Sequence, residues 1–201
     1  MKDAILFVVT GPSGSGKGTV MHAITDTFTD INKVATFTTR PPRQGEQPGY
    51  DYNFVSQEEF LRKVADGEIA EHERVYNDHY YGSPSFDPAK GPDRLMELDY
   101  KGMFKYEKIT RNLVSIFIAP PSVDELRKRI TLRANEVNLD NRIRNAIEQL
   151  QYAEEYDYII LNDSVEQACA EAIAIVRAEQ CKRDKANRIR LIEQMCRTAN
   201  A

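Results

Sequence analysis

The stretch GPSGSGKGT, residues 11–19, decides the fold of this chain. It directly follows the apolar run Ile5–Val9 and directly precedes apolar residues at helical spacing, such as Val20 and Ile24. A strand, a glycine-rich turn and a helix N-terminus in this order form a cradle for an anion, because backbone N–H groups and the helix dipole point towards it. The sequence therefore predicts a phosphate-binding loop, with the ammonium group of Lys17 on the outer phosphates.

The spacing from Gly11 to Gly16 and Lys17 is typical of the P-loop. The next position usually holds serine or threonine, but here it holds Gly18, and Thr19 follows. We interpret GKGT as a variant of the motif. A glycine-rich turn without function is the alternative, and the flanking strand and helix disfavour it.

Composition favours one soluble globular domain. The chain has 201 residues, of which 41% are hydrophobic and 29% are charged. Its net charge of −4 predicts no surface for nucleic acid. The exception is the stretch 177–201, which holds seven Lys/Arg and three Asp/Glu and which we interpret as a solvated helix.

The three cysteines are odd in number and have no CxxC spacing, so they predict neither a disulfide framework nor a zinc site. The three histidines do not cluster with them, and we expect no metal site built by the protein alone. Met1 leads almost directly into a strand, and no apolar stretch has membrane-spanning length. The sequence therefore predicts a cytoplasmic protein without a membrane segment.

Strands alternate with helices along the chain, which predicts an α/β fold: a parallel sheet with helices on both faces. Capping boxes begin at Ser56, Ser122 and Ser164 and predict three helix starts. The run Lys33–Thr39 predicts one extended segment, and we expect a later helix to run from about residue 141 to 156. Composition breaks at about 36–92 and 130–142 indicate insertions into this core.

Two arginines and several hydroxyl groups predict a second phosphate site. Arg40 and Arg43 are separated by two prolines that extend the backbone, so both guanidinium groups can reach one dianion. Thr36, Tyr52 and Tyr81 can donate to phosphate oxygens. A second phosphate site implies two phosphorylated substrates.

A basic cluster lies around the break at 134–140. Arg129, Arg133 and Arg142 are placed where a mobile segment could close over a triphosphate and neutralise the charge on the transferring group. Glu71 and Glu73 follow a strand-like run, and a carboxylate there offers two acceptor oxygens that suit the N1–H and 2-amino group of guanine. Ser83 is a candidate neighbour. From composition alone, solvent exposure is the favoured interpretation of either glutamate.

Taken together, these residues resemble guanylate kinase from about Leu6 to Glu179. The motifs are GPSGSGKGT (11–19), TTRPPRQGE (38–46), YDYNFVSQEEF (50–60), YYGS (80–83), ELDYKG (97–102), IFIAPPS (116–122) and YDYIILND (156–163). The resemblance implies a P-loop kinase fold and ATP-dependent phosphorylation of GMP or dGMP. It also implies Mg²⁺, bound through the ATP phosphates near Thr19.

The resemblance assigns roles to individual residues of this chain. ATP would be bound by Gly11, Pro12, Ser13, Gly14, Ser15, Gly16, Lys17, Gly18, Thr19, Arg129 and Asn162. The GMP phosphate would be bound by Thr36, Arg40, Arg43, Tyr52 and Tyr81, and guanine by Glu71, Ser83 and Asp99. Catalysis would rest on Lys17, Arg40, Arg43, Arg133 and Arg142.

The resemblance also divides the single domain into parts. These are a core (1–35, 93–127 and 143–180), a GMP-binding lobe (36–92), a lid (128–142) and a basic C-terminal helix (181–201), through which a homo-oligomer could form. The link from Gly82 to Glu97 is shorter than in the family and contains three prolines, so the helix usually found there is expected to be stunted or absent.

Two alternatives stay open from the sequence. One is a kinase of the same fold that acts on another or a modified (deoxy)nucleoside monophosphate, which the shortened lobe favours. The other is a non-catalytic module that binds a phosphorylated protein. The intact Gly16, Lys17 and Thr19 disfavour this module.

Overall fold

The computed structural model describes residues 3–43, 45–75, 79–133 and 139–199. In chain order its elements are β1 (Leu6–Thr10), α1 (Lys17–Thr27), β2 (Ile31–Val34), β3 (Thr36–Thr38), β4 (Tyr52–Phe54), α2 (Gln57–Ala65), β5 (Ile69–Val75), β6 (His79–Pro84), β7 (Asp93–Glu97), α3 (Tyr100–Glu107), β8 (Leu113–Ala119), α4 (Val123–Arg133), α5 (Leu139–Leu150), a 3₁₀ helix (Ala153–Glu155), β9 (Tyr158–Leu161) and α6 (Val165–Ala199).

A parallel sheet in the order β2-β7-β1-β8-β9 forms the centre of the described structure. Strand β1 is buried along its whole length, and β8 is buried over its five middle residues. Helices cover both faces, so strands of this kind are apolar at successive positions rather than alternately. The α/β class and the parallel sheet predicted from the sequence are confirmed.

The two faces of the sheet have separate cores. On one face α1 and α6 pack against alternate residues of β1 and β8, such as Phe7 and Ile116. On the other face α3 packs against Leu6, Val8 and Phe117. This alternation follows from the two-residue period of a strand, which sends neighbouring side chains to opposite faces.

A second sheet, in the order β4-β3-β6-β5, forms the lobe between β2 and β7. The predicted single extended segment Lys33–Thr39 is in fact divided between the two sheets. Strand β2 ends at Val34 in the central sheet, and β3 begins at Thr36 in the lobe. Ala35 lies between them, and its carbonyl oxygen accepts a hydrogen bond from Asn53 Nδ2 at 2.8 Å, which ties the crossing point to the lobe.

The three predicted helix starts are confirmed, each with a serine at the N-cap. The hydroxyl groups of Ser56, Ser122 and Ser164 accept hydrogen bonds from backbone N–H groups three residues later, at 3.1, 3.1 and 3.4 Å. Each bond satisfies a donor that has no partner within its own helix. Local sequence thus determines where α2, α4 and α6 begin.

The segment between β6 and β7 forms turns and contains no helix, as the short link with its three prolines predicts. Phe86 from this segment is only 7% exposed and packs on the central sheet beside Met96, Leu98 and Tyr106. One aromatic side chain therefore covers this part of the sheet face.

One predicted helix boundary differs from the structure. Helix α5 ends at Leu150 rather than near 156, and just after its end Tyr152 stacks on Tyr100, with ring centroids 4.7 Å apart. Helix α6 is continuous from Val165 to Ala199. Arg183 from α6 forms an ion pair with the buried Asp93 at the start of β7, which ties this helix to the central sheet.

Candidate active site

The P-loop lies where β1 leaves the carboxyl edge of the central sheet. Gly11 has φ of 143°, and a Cβ there would lie against the backbone carbonyl oxygen of Ile118, so only glycine fits. Gly16 has φ of 100° at the N-cap of α1, and a Cβ there would overlap the amide nitrogen of Asn162. The two glycines let the loop close tightly over β8 and over Asn162.

Asn162 holds the backbone of the P-loop in place. It is 1% exposed, and its Nδ2 donates to the carbonyl oxygen of Ser15 at 2.7 Å. Its own N–H donates to the oxygen of Ala119 at 2.8 Å, which fixes it to β8. The predicted neighbour of adenine therefore has a structural task, because it orients the backbone of the phosphate cradle.

Lys17 lies across the loop. Its Nζ donates to the carbonyl oxygens of Gly11 at 2.8 Å and of Pro12 at 3.2 Å, and it lies 3.4 Å from Oε1 of Glu97. Glu97 ends β7, the strand next to β1. The ammonium group is thus already at the mouth of the cradle, held between backbone oxygens and one carboxylate.

Of the three arginines predicted to close over a triphosphate, the structure places one beside the loop. A Cβ built on Gly14 would lie 3.3 Å from Cβ of Arg129, so α4 packs directly against the P-loop. The guanidinium group of Arg129 forms an ion pair with Glu125 at 2.8 Å. Arg133 ends α4 and Arg142 lies in α5, but their side chains lie outside the described part of the chain.

Arg40 is the centre of the predicted second phosphate site. It is buried, and its Nη1 and Nη2 donate to the two carboxylate oxygens of Glu46 at 2.7 and 2.6 Å. Its Nε donates to the hydroxyl of Tyr81 at 3.1 Å, and its guanidinium carbon lies 5.0 Å from the ring centroid of Tyr52. The hydrogen bonds from Arg40 hold the pKa of the Glu46 carboxyl below its ordinary range.

The structure brings Tyr52 and Tyr81 to Arg40, and Arg43 contacts the same carboxylate as Arg40 through its backbone. Arg43 is exposed, and its backbone N–H donates to Oε2 of Glu46 at 2.7 Å. Tyr52 is half-buried, and this burial raises the pKa of its hydroxyl to about 12, so the hydroxyl is a neutral donor at ordinary pH.

A polar cleft lies between the lobe and the central sheet. Thr36, Glu46 and Tyr52 line it from the lobe, and Glu97 lines it from the central sheet. Lys33 also lines it, and burial lowers the pKa of its amine. Since Glu97 contacts Lys17 and Glu46 contacts Arg40, the carboxylate partners of both cations line this one cleft.

Glu71 and Ser83 form the predicted base pocket. The hydroxyl of Ser83 donates to Oε1 of Glu71 at 2.7 Å, and the Glu71 side chain is 9% exposed. Burial raises the pKa of this carboxyl, and the hydrogen bond from Ser83 and the charge of Lys105 act against that rise. Glu73, its neighbour on the same face of β5, is 31% exposed and pairs with Lys101, so the buried acceptor is Glu71.

Asp99 lies close to this pocket but has another partner. Its Oδ1 accepts the N–H of Gly102 at 2.7 Å and so caps α3. Asp99 is exposed, and its charge raises the pKa of Glu71.

Sequence reasoning missed Glu46 and Lys105. Glu46 follows Arg40 by six residues in a loop, where no periodic spacing links two side chains. Lys105 lies on a different element from Glu71, and only the packing of α3 against β5 brings the two charges to 3.6 Å. One signal was available in the sequence. Lys101 and Lys105 are four residues apart and so share one face of a helix, while Glu71 and Glu73 are two residues apart and share one face of a strand.

Comparisons with known proteins agree with this geometry. Residues 4–179 match the family described as "Guanylate kinase". The chain is 40% identical over 190 residues to a guanylate kinase from Caldanaerobacter subterraneus subsp. tengcongensis, covering 92% of each chain. It is 38% identical over 187 residues to one from Clostridium perfringens (strain SM101 / Type A), covering 90% of this chain and 86% of the relative.

A solved structure is similar over the same region. The crystal structure of guanylate kinase from Anaplasma phagocytophilum superposes with a TM-score of 0.73 at 35% identity, covering 90% of this chain and 88% of that one. Sequence and structure therefore lead to the same conclusion: this chain belongs to the guanylate kinase family.

Proposed function

We propose that this chain is an enzyme that transfers the γ-phosphoryl group of ATP to GMP, and to dGMP, giving ADP and GDP or dGDP. The observation that supports this most is that Glu97 and Glu46, the carboxylate partners of Lys17 and Arg40, line the same cleft. Two cationic sites beside one cleft suit a donor and an acceptor phosphate.

The residues of the chain act by position and charge. The P-loop backbone and Lys17 bind the β- and γ-phosphates of ATP, while Arg40, Tyr81, Tyr52 and Thr36 bind the phosphate of GMP. Phosphoryl transfer needs little covalent chemistry from a protein, so alignment of the two phosphates and stabilisation of the developing charge account for most of the rate. Arg43, Arg129, Arg133 and Arg142 are further candidates for phosphate contacts.

Base choice rests on Glu71 and Ser83. An ionised carboxylate accepts hydrogen bonds from N1–H and the 2-amino group of guanine, whereas adenine has an acceptor at N1. Asp99 is a weaker candidate because it caps α3, and Asn162 acts towards ATP by supporting the P-loop.

Mg²⁺ fits the donor set at the P-loop mouth. Within the described residues no group of three or more His, Cys, Asp or Glu side chains could hold a metal. Mg²⁺ is usually bound by one or two protein oxygens together with substrate phosphates. The exposed hydroxyl of Thr19 and the carboxylate of Glu97 are such oxygens, and the ion would neutralise charge on the phosphates of ATP.

A coupled assay of ATP consumption over a panel of nucleoside monophosphates tests this function. We expect GMP and dGMP to be the best acceptors and AMP, CMP and UMP to be poor. Faster turnover with a modified deoxynucleotide would favour the second kinase hypothesis. No consumption with any nucleotide, by folded protein, would favour the non-catalytic module.

We also propose that the end of α6 joins two copies of the chain in the cytoplasm. Ile189, Leu191, Ile192 and Met195 are exposed on this helix. The stretch is basic within a chain of net charge −4, so it complements the acidic remainder of a second copy. Sedimentation of the wild type and of Ile192→Lys tests the assembly: a monomeric wild type would refute it.

Within the described residues no helix is both long and apolar enough to span a membrane.

A further inference from the structure

Lys105 reaches from the core to the base pocket. It lies on α3, and its Nζ donates to the carbonyl oxygen of His72 on β5 at 2.8 Å. The same ammonium group lies 3.6 Å from Oε2 of Glu71. Its side chain is 44% exposed while that of Glu71 is 9% exposed, so the cation lies on the solvent side of a buried carboxylate.

Among the residues that the structure describes, the other groups that face Glu71 do not supply positive charge. Ser83 on β6 donates a neutral hydrogen bond to Oε1. Asp99, at the start of α3, adds a second negative charge. Tyr106 on α3 is buried near Glu71, and burial keeps its hydroxyl neutral by raising its pKa. Lys105 is therefore the cation that balances this carboxylate.

The balance matters because the base pocket needs an ionised carboxylate. Burial raises the pKa of Glu71 and Asp99 raises it further, whereas Ser83 and Lys105 lower it. A protonated carboxyl group has an O–H donor on one oxygen, which would face a donor of guanine rather than accept from it.

We propose that Lys105 is a positioning residue for base recognition: its ammonium group, anchored on the carbonyl oxygen of His72, keeps Glu71 charged and in place as the double acceptor for guanine. The inference rests on the proposed GMP kinase function and adds to it a residue that acts through Glu71. The charge of an exposed lysine on α3 would thus affect base specificity in the lobe.

The experiment is the pH profile of kcat/KM for GMP at saturating ATP. In Lys105→Met we expect the acid limb to move to higher pH by about one unit, the scale of one charge at this distance. Lys105→Gln keeps a donor for the His72 carbonyl but lacks the charge, so we expect the same shift. Lys105→Arg keeps the charge and should restore the wild-type limb. The phosphate of GMP itself ionises near pH 6. This ionisation is the same with every variant, so it does not change the difference between their acid limbs.

The matched control is Lys101→Met, one turn earlier on α3. Lys101 pairs with Glu73 at 3.0 Å, outside the buried pocket, so its removal should leave the limb in place. An unchanged limb in both Lys105→Met and Lys105→Gln would overturn the inference, as would an equal shift in Lys101→Met. Absence of GMP turnover by the wild type would instead reject the proposed function, so failure of the inference and failure of the proposed function can be told apart.

Discussion

Arg40 and Glu46 meet end to end, with Nη1 and Nη2 of the arginine donating to both oxygens of the glutamate at 2.7 and 2.6 Å. The Nη1 group also donates to the carbonyl oxygen of Pro41, and Nε donates to the hydroxyl of Tyr81. A guanidinium group has five N–H donors, so the described contacts leave one N–H on Nη2, on the same edge as Nε. We expect that edge, rather than the end of the fork, to face the phosphate of GMP.

Glu46 is accordingly expected to orient Arg40 rather than compete with the phosphate. In Glu46→Gln one charge-assisted hydrogen bond is lost and the arginine can rotate. We expect KM for GMP to rise about tenfold or more, in line with the worth of such a bond, while KM for ATP stays unchanged. Steady-state kinetics with each substrate varied in turn measures both constants.

Glu68→Gln is the control for this change. Glu68 pairs with Lys63 at 2.7 Å in the same lobe but away from the cleft, so its loss should leave both constants unchanged. A lower KM for GMP in Glu46→Gln would show that Glu46 competes with the phosphate and would refute the orienting role.

Lys17→Met should remove most of the activity. The ammonium group lies at the mouth of the P-loop and would stabilise charge on the transferring phosphoryl group. Loss of one such stabiliser costs about 10²-fold or more in kcat. Circular dichroism should show a folded protein, since the described contacts of the Lys17 side chain are with two loop carbonyl oxygens and with Glu97. Near-wild-type turnover would remove the P-loop from the mechanism.

Glu71→Gln tests the base pocket. The amide keeps the size of the side chain but has one acceptor oxygen and can donate to N1 of adenine. We expect most GMP activity to be lost. The ratio of kcat/KM for GMP to that for AMP, which such sites can raise to about 10⁴, should fall at least about tenfold. Glu73→Gln is the control, and an unchanged ratio in Glu71→Gln would exclude Glu71 as the reader of the base.

Phe86→Ala tests the short link between β6 and β7. Phe86 is the buried side chain that covers the sheet face beside Met96 and Leu98. Its truncation should lower the free energy of unfolding by about 3–5 kcal/mol, the usual cost of a buried aromatic residue. Ile109→Ala, at a side chain that is half exposed, should cost much less in the same urea titration. Equal costs would show that Phe86 is not part of the core.

Features encoded locally could be predicted from the sequence. The strand Leu113–Ala119 and the three serine caps depend on a few consecutive residues, and the structure has them where the sequence predicts. The P-loop belongs to the same class, because its glycines, lysine and flanking elements are contiguous.

Features that depend on distant contacts could not be predicted. Ser15 and Asn162 are separated by 147 positions, and only the order of strands brings them together. The extended segment Lys33–Thr39 gave no sign that Ala35 separates two sheets, because β-branched residues favour strands without specifying their partner. The pairing of Arg40 with Glu46 arises from the path of an irregular loop, which residue spacing does not determine.

If Lys17 and Arg40 bind the donor and the acceptor phosphate, the γ-phosphoryl group passes directly from ATP to GMP. The most direct measurement follows ATP labelled on its γ-phosphate in the presence of Mg²⁺ and GMP, with the nucleotides separated by chromatography. We expect label to leave ATP only when GMP is present, and to accumulate in GDP in step with the ADP formed. Label released as inorganic phosphate, or loss of label that does not depend on GMP, would contradict it.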